Sequence, residues 1–271
     1  TWKVGTGTYS SMGNNGFHLK FETTTGNGLG TDSSSNNNHF TVAGSLNQQL
    51  DNPSNAFNKF IPEATIHSGT TIAGLGKKLL TSSTVAKDVS IYGLYAGKWY
   101  WEHQVYGLST TALFGISSGQ PTGNASYLTE TDSNGNIGYG LVSGSGNMGY
   151  PSGASTSYGS AISEGNYLMY ALDLTNNKFY IGVNGSWFAS GNPAGNSNGY
   201  TIVAAALTKS RCYYPAASTF AGDNQYYNFG DGYFDTAVAG TNADGAGYGK
   251  FKYSVPSGFY SICTKNILTY G

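Results

Sequence analysis

Apolar and polar residues alternate with a period of two along most of this chain, and clusters of Gly, Asn and Ser interrupt the alternation. A period of two sends successive side chains to opposite faces of an extended strand, so the pattern predicts antiparallel sheets. Residues 16–21 set Phe17, Leu19 and Phe21 against His18 and Lys20. The polar stretch from Thr23 to Asn38, which includes Asp32-Ser33-Ser34-Ser35-Asn36-Asn37-Asn38, buries too little apolar surface to join a core and reads as a loop. Residues 40–46 resume the alternation, Asp51-Asn52-Pro53-Ser54 forms a turn, and residues 57–61 pack as a short connector. Residues 64–80 read as two short strands about a turn at Ser68-Gly69-Thr70.

The densest signal is residues 97–106, in which Trp99, Trp101 and His103 share one face and Tyr100, Glu102 and Gln104 the other. Residues 113–116 follow as a partner strand, and 136–141 and 147–150 read as short strands in a glycine-rich meander. Residues 167–174, 178–183 and 187–188 then form a ladder, turned first by Thr175-Asn176-Asn177 and then by Asn184-Gly185. Asn-Gly tolerates the positive φ angles of a type I′ turn, so a tight hairpin is predicted there. Residues 212–218, 225–229 and 259–264 add late strands. No segment reads as a helix, and nothing repeats at a fixed period.

Composition narrows the class. Charged residues make up 10% of the 271, against about 25% in an ordinary soluble domain, which excludes a helical bundle or coiled coil. With 39% hydrophobic and 14% aromatic residues the chain has ample surface to bury, which excludes disorder. Lys+Arg 13 against Asp+Glu 14 leaves a net charge of −1, so no positive excess exists to displace counterions from a nucleic acid. No run approaches the roughly 18 apolar residues of a membrane span, and no charged-then-apolar leader opens the sequence. The chain starts at Thr1, which removal of an initiator Met explains, as does cleavage from something longer. No proline-rich or charged linker divides it, so one large sandwich is expected ahead of the alternative, two smaller domains. Cys212 and Cys263 form at most one bridge, and two free buried thiols are the plainer reading.

From residue 97 onward the succession resembles the SPRY family. The matching pieces are Gly97-Lys98-Trp99-Tyr100-Trp101-Glu102, Phe114-Gly115-Ile116, Asn136-Ile137-Gly138-Tyr139-Gly140 and Tyr170-Ala171-Leu172-Asp173-Leu174. They continue through residues 178–185 to Cys212-Tyr213-Tyr214-Pro215-Ala216. Tyr227-Asn228-Phe229-Gly230 and Pro256-Ser257-Gly258-Phe259 are similar to the version of this domain in phage virion proteins, tail-fibre and capsid-fibre proteins above all. The front is similar to the same group through residues 15–21, the polar loop of 32–40 and residues 50–55. The resemblance spans roughly residues 16–267. It implies an all-β fold, an antiparallel two-sheet sandwich of the concanavalin A-like (SPRY) jelly-roll kind. A single domain over 16–271 would follow an N-terminal arm or linker over 1–15. SPRY domains are binding modules that present variable loops at one end of the sandwich and carry no chemistry of their own.

The conspicuous residues read first as structural. Trp99 and Trp101 each bury on the order of 200 Å² and anchor the core. Gly115 and Gly140 allow close approach of strands, and Asp173 ties its hairpin through side-chain-to-backbone bonds. His18, His39, His67 and His103 show no metal-ligand spacing, and His18 and His103 fall inside strand patterns, where a hydrogen-bonded structural role is expected. No Gly-x-Ser-x-Gly elbow sits between a strand and a helix. A glycosidase needs two carboxylates about 5–9.5 Å apart, and the spacing of Glu102, Glu130, Asp132, Glu164 and Asp173 singles out no pair. Asp132-Ser133-Asn134-Gly135-Asn136 begins like a calcium loop. It has Ile137 in place of the usual glycine and Ser143 in place of the closing acid, so a plain turn is expected, with no metal and no cofactor.

The loops 144–158, 186–200, 220–227 and 231–248 are crowded with Tyr, Asn, Ser and Gly. That composition suits recognition of proteins and sugars; solvated turns are the bland alternative. The candidate ligand-binding residues are Tyr150, Tyr158, Trp187, Tyr200 and Tyr233, with Trp187 either a rim aromatic or tucked under a neighbouring loop. The expectation is a non-enzymatic virion protein at the particle surface, a phage fibre or capsid-decorating protein. It would bind a host-surface glycan or a partner protein, and its arm would serve attachment to other virion proteins or homo-oligomerisation, without nucleic acid or membrane insertion. The alternatives are a purely structural, self-assembling shell or tail component and a polysaccharide depolymerase. Near-zero net charge leaves little electrostatic steering, so binding should change little with salt.

Overall fold

The structure is a computed structural model that describes residues 13–21, 28–44, 50–65, 69–82, 86–119, 127–131, 135–203, 212–232, 234 and 240–271. The chain divides into two compact units, Thr1–Ser54 and Asn55–Gly271, and the named strands all lie in the second. In chain order its strands are β1 (Phe60–Thr65), β2 (Thr70–Ala73), β3 (Lys78–Thr81), β4 (Ala86–Ser90) and β5 (Lys98–Gly107). Next come β6 (Leu113–Ser117), β7 (Gly138–Val142), β8 (Met148–Tyr150), β9 (Ala154–Thr156), β10 (Tyr167–Asp173) and β11 (Lys178–Val183). The last are β12 (Ser186–Trp187), β13 (Tyr200–Thr201), β14 (Tyr214–Thr219), β15 (Asn224–Asn228) and β16 (Tyr260–Ser261), followed by helix α1 (Thr264–Tyr270).

These strands make two sheets, β1-β4-β14-β6-β7-β8-β9 and β12-β11-β10-β5-β15-β3-β2. β13 adds to β11, and β16 adds to β5 as a parallel partner; every other pairing between named strands is antiparallel. This is the two-sheet sandwich that the alternation predicts. Its core lies between the sheets, where Trp99, Trp101, Tyr170, Phe179 and Tyr227 of one meet Phe114, Ile116, Tyr139 and Leu141 of the other. The face alternation read along residues 97–106 holds, since Tyr100 packs on the opposite side with Met169, Ala171, Tyr180, Phe251 and Phe259. That outer side is therefore covered as well. Gly115 and Gly140 lie directly opposite each other, and a Cβ on Gly115 would come within 2.0 Å of the Tyr139 carbonyl oxygen. Asp173 ties its hairpin as expected: Oδ1 accepts from the Thr175 and Asn176 amides, both at 3.0 Å, and Oδ2 from Asn176 Nδ2 at 2.8 Å. Lys98 pairs with the same Oδ2 at 2.9 Å. Asn184 and Gly185 take φ of 49° and 90°, the left-handed pair that the β11–β12 hairpin requires.

Several expectations change. Residues 16–21 are no strand: Leu19 makes an isolated bridge with Asp32, and Phe17 and Phe21 are 50% and 57% exposed. Polar side chains organise that unit. Asp32 accepts from the His18, Ser34 and Asn38 amides and the Ser34 hydroxyl, at 2.7–2.8 Å. Phe40, 45% exposed, likewise starts no strand; residues 45–49 lie outside the described residues. Gly69 is a turn residue and Thr70 opens β2, while Ser68 lies outside the described residues; β2 folds back on β3 through Gly74–Gly76, and β1 pairs with β4. The closing strand is only β16. The chain then turns into α1, because Asp244 Oδ2 gathers the Ser261 amide and hydroxyl and Asn266 Nδ2 at 2.7–2.8 Å, a buried polar knot that favours a turn over further pairing. Cys212 and Cys263 are free thiols, half-buried and buried.

Candidate functional site

One end of the sandwich gathers three of the tyrosines picked from sequence. The loop after β12 is held by its own bonds: Asn192 and Ser197 exchange amide-to-carbonyl bonds of 3.0 and 3.1 Å, and Asn192 Oδ1 accepts the Gly195 amide at 3.0 Å. Asn196 and Asn198 sit at φ of 53° and 58°, a conformation Asn tolerates because its short polar side chain bonds locally. This loop delivers Tyr200 onto β11. The ring of Tyr200, half-buried, packs 5.9 Å from that of Tyr139 and 6.2 Å, edge to face, from that of Tyr158. Tyr158 in turn meets Phe188 at 6.3 Å. Tyr150, half-buried at the end of β8, packs on the same core and lies near enough to Tyr200 to add to the rise in its pKa, which burial dominates.

The hydroxyls beneath this rim are already used. Tyr158 is buried, and its hydroxyl accepts the Ile181 amide at 3.2 Å; burial pushes its pKa up to about 12. Tyr139 accepts the Val203 amide at 3.1 Å, and Tyr213 donates to the Val203 carbonyl at 3.0 Å. Tyr158 thus supports the rim from beneath, while Tyr150, Tyr200 and Phe188 keep partly open faces. Trp187 does not join them. It is half-buried on the outer side of the other sheet, edge to face with Tyr100 and Tyr180, each at 6.4 Å. Tyr233 lies outside the described residues. Sequence reasoning missed Phe188, Tyr139 and Tyr213. Tyr139 and Tyr213 sat within the motif strings, yet alternation alone does not say which strand ends converge.

His103, Glu102, Glu130 and Glu164 each hold structural hydrogen bonds. His103 is fully buried; its Nε2 faces Gln225 Oε1 at 2.9 Å and its Nδ1 the Tyr170 hydroxyl at 2.7 Å. Gln225 donates its own amide to the Gly107 carbonyl, so Oε1 is an acceptor and His103 carries its proton on Nε2. Burial holds its pKa down to about 3. Glu102, buried on the opposite face, accepts the Lys252 and Tyr253 amides at 2.9 Å and the Tyr100 hydroxyl at 2.8 Å. Burial outweighs these bonds and pushes its pKa up to about 7. Glu130 accepts the Tyr127 amide at 3.1 Å and Glu164 the Leu108 amide at 3.3 Å. Among the described residues no three of His, Cys, Asp and Glu come together as metal ligands. Asp132 and Asn134 of the calcium-like turn, and His67, lie outside the described residues.

No protein-family profile and no curated protein matches the chain. Among solved structures it is similar to the SPRY domain of human HERC1, at 16% identity and a TM-score of 0.46, over 62% of this chain and 96% of that one. A human SPRY domain gives 12% identity and a TM-score of 0.44, over 59% and 94%. The SPRY-like motifs themselves all fall in or beside the sandwich strands: Trp99–Glu102 on β5, Phe114–Ile116 on β6, Tyr170–Asp173 on β10 and the Asn184-Gly185 turn between β11 and β12.

Proposed function

We propose that this chain is a non-enzymatic surface component of a phage particle, a fibre or capsid-decorating protein, whose loop end binds a host-surface glycan or a partner protein. The observation that carries this reading is the half-buried trio Tyr150, Phe188 and Tyr200 on a loop end fixed by its own hydrogen bonds. Flat aromatic faces on a preorganised backbone give contact area with little ordering cost. The particle context rests on the sequence motifs similar to phage virion proteins. The test is attachment of the purified chain to host cells: Tyr150→Ala with Tyr200→Ala should weaken it at least about tenfold, and raising salt from about 50 to 300 mM should change it by less than that. Undiminished attachment by the double variant rejects the reading.

A self-assembling shell or tail component is the second reading, favoured by exposed apolar side chains on the sandwich: Leu75 at 71%, Tyr106 at 60% and Leu268 at 86%. Light scattering separates the two, since assembly into a closed oligomer without attachment to cells supports the second. Release of reducing ends from host polysaccharide would replace both with a depolymerase.

A further inference from the structure

A cavity of about 340 Å³ opens on the outer face of the seven-stranded sheet, on the side of that sheet opposite Tyr139, Tyr158 and Tyr200. Its floor is Leu113 and Val142, cross-strand partners on β6 and β7. Tyr127 and Glu130 wall one side, and the exposed Thr111 and Ser155 form the rim. The Tyr127 ring is backed by Phe220 at 5.8 Å, and the Glu130 carboxylate accepts the Tyr127 amide at 3.1 Å, so this wall is in place before any ligand arrives.

We infer that this cavity is a subsite for a neutral sugar ring, distinct from the loop end. The size lies within the range of small-ligand pockets. A pyranose has an apolar C–H face, which the Leu113–Val142 floor and the Tyr127 ring fit, and an edge of hydroxyls, which Thr111, Ser155 and Glu130 can bond. Among the described residues no Lys, Arg or His lines the cavity, which disfavours an anionic ligand. Glu130 is the single acid of the lining and already holds a backbone amide, so it offers acceptor lone pairs more than an unneutralised charge for a cation.

The experiment is a titration of the whole chain, followed by saturation-transfer NMR, with the methyl glycosides of glucose, galactose and N-acetylglucosamine. At least one should bind with Kd of order 1–10 mM. Ser155→Trp, which fills the exposed rim, should weaken it at least tenfold, as should Glu130→Gln, while Leu268→Ser should leave it unchanged. Absence of binding by all three glycosides overturns the inference, and so does binding that survives Ser155→Trp. Loss of the titration in Tyr200→Ala alone moves the sugar to the loop end and overturns it, as does tighter binding of methylguanidinium than of any glycoside.

Discussion

In the N-terminal unit the Asp32 carboxylate gathers the amides of His18, Ser34 and Asn38, Asn36 and Asn38 tie down the carbonyl of Gly16, and Phe17 and Phe21 stand at least half exposed. The sandwich inverts this arrangement. Trp101, Tyr170 and Phe179 stack at 5.0–6.2 Å with no exposure, and His103 enters the interior bonded between Tyr170 and Gln225. Similar alternating strings therefore lead to opposite outcomes. A run of Phe-x-Leu-x-Phe becomes a strand only where a sheet offers its edge and a second sheet offers a face; beside a carboxylate that satisfies the local amides, it stays a bonded turn.

Acid should separate the two regions most strongly. His103 is held at about 3 in the fold, against 6.5 in an unfolded chain, so as pH falls the unfolded chain takes up the proton first. Sandwich stability should drop between pH 6.5 and 3 by about 5 kcal/mol. Glu102 acts in the reverse sense: held at about 7 against 4.5, it keeps a proton the unfolded chain has released, and stability should fall by about 3 kcal/mol as pH rises from 4.5 to 7. Urea midpoints across this range should show the acid limb flattened in His103→Gln and the neutral limb flattened in Glu102→Gln. At Asp32, burial raises the pKa, but the bonds from His18, Ser34 and Asn38 outweigh it and hold the group well below the usual carboxylate range. The N-terminal ties should accordingly persist at pH 4, read by amide exchange at Ser34 and Asn38.

Trp101→Ala should cost about 4 kcal/mol in urea unfolding, since it empties a stacked, fully buried site. Asp32→Ala should speed amide exchange at Ser34 and Asn38 roughly tenfold by removing their acceptor. In the hairpin, Gly185→Ala, at φ 90°, should cost about 1 kcal/mol. Phe17→Ala should cost less still, a few tenths by the same measurement, because half of its ring is already in water. A Phe17→Ala effect equal to that of Trp101→Ala would erase the contrast.

The parts of the fold legible in sequence were those where one chemistry dominates. Residues 97–106 read correctly because both faces bury large side chains, and 178–188 because Asn-Gly dictates its turn. β4 escaped notice because its interior carries Lys87 and Asp88, both fully buried, which reads as surface. α1 has no helical period to show; it forms around Asn266, whose side chain is held by Asp244 and Ser261. At the candidate site the residue type was legible and the geometry was not. A string of residues does not show that the Tyr158 hydroxyl meets the Ile181 amide or that the Trp187 ring packs on Tyr100.

Ala56 and Thr264 bind each other twice, amide to hydroxyl at 3.1 Å and amide to carbonyl at 2.9 Å, and the Asn58 amide reaches the Ile262 carbonyl at 2.9 Å. The segments that open and close the sandwich therefore lie side by side. Joining residues near 56 and 264 and reopening the chain at another loop should carry little geometric penalty.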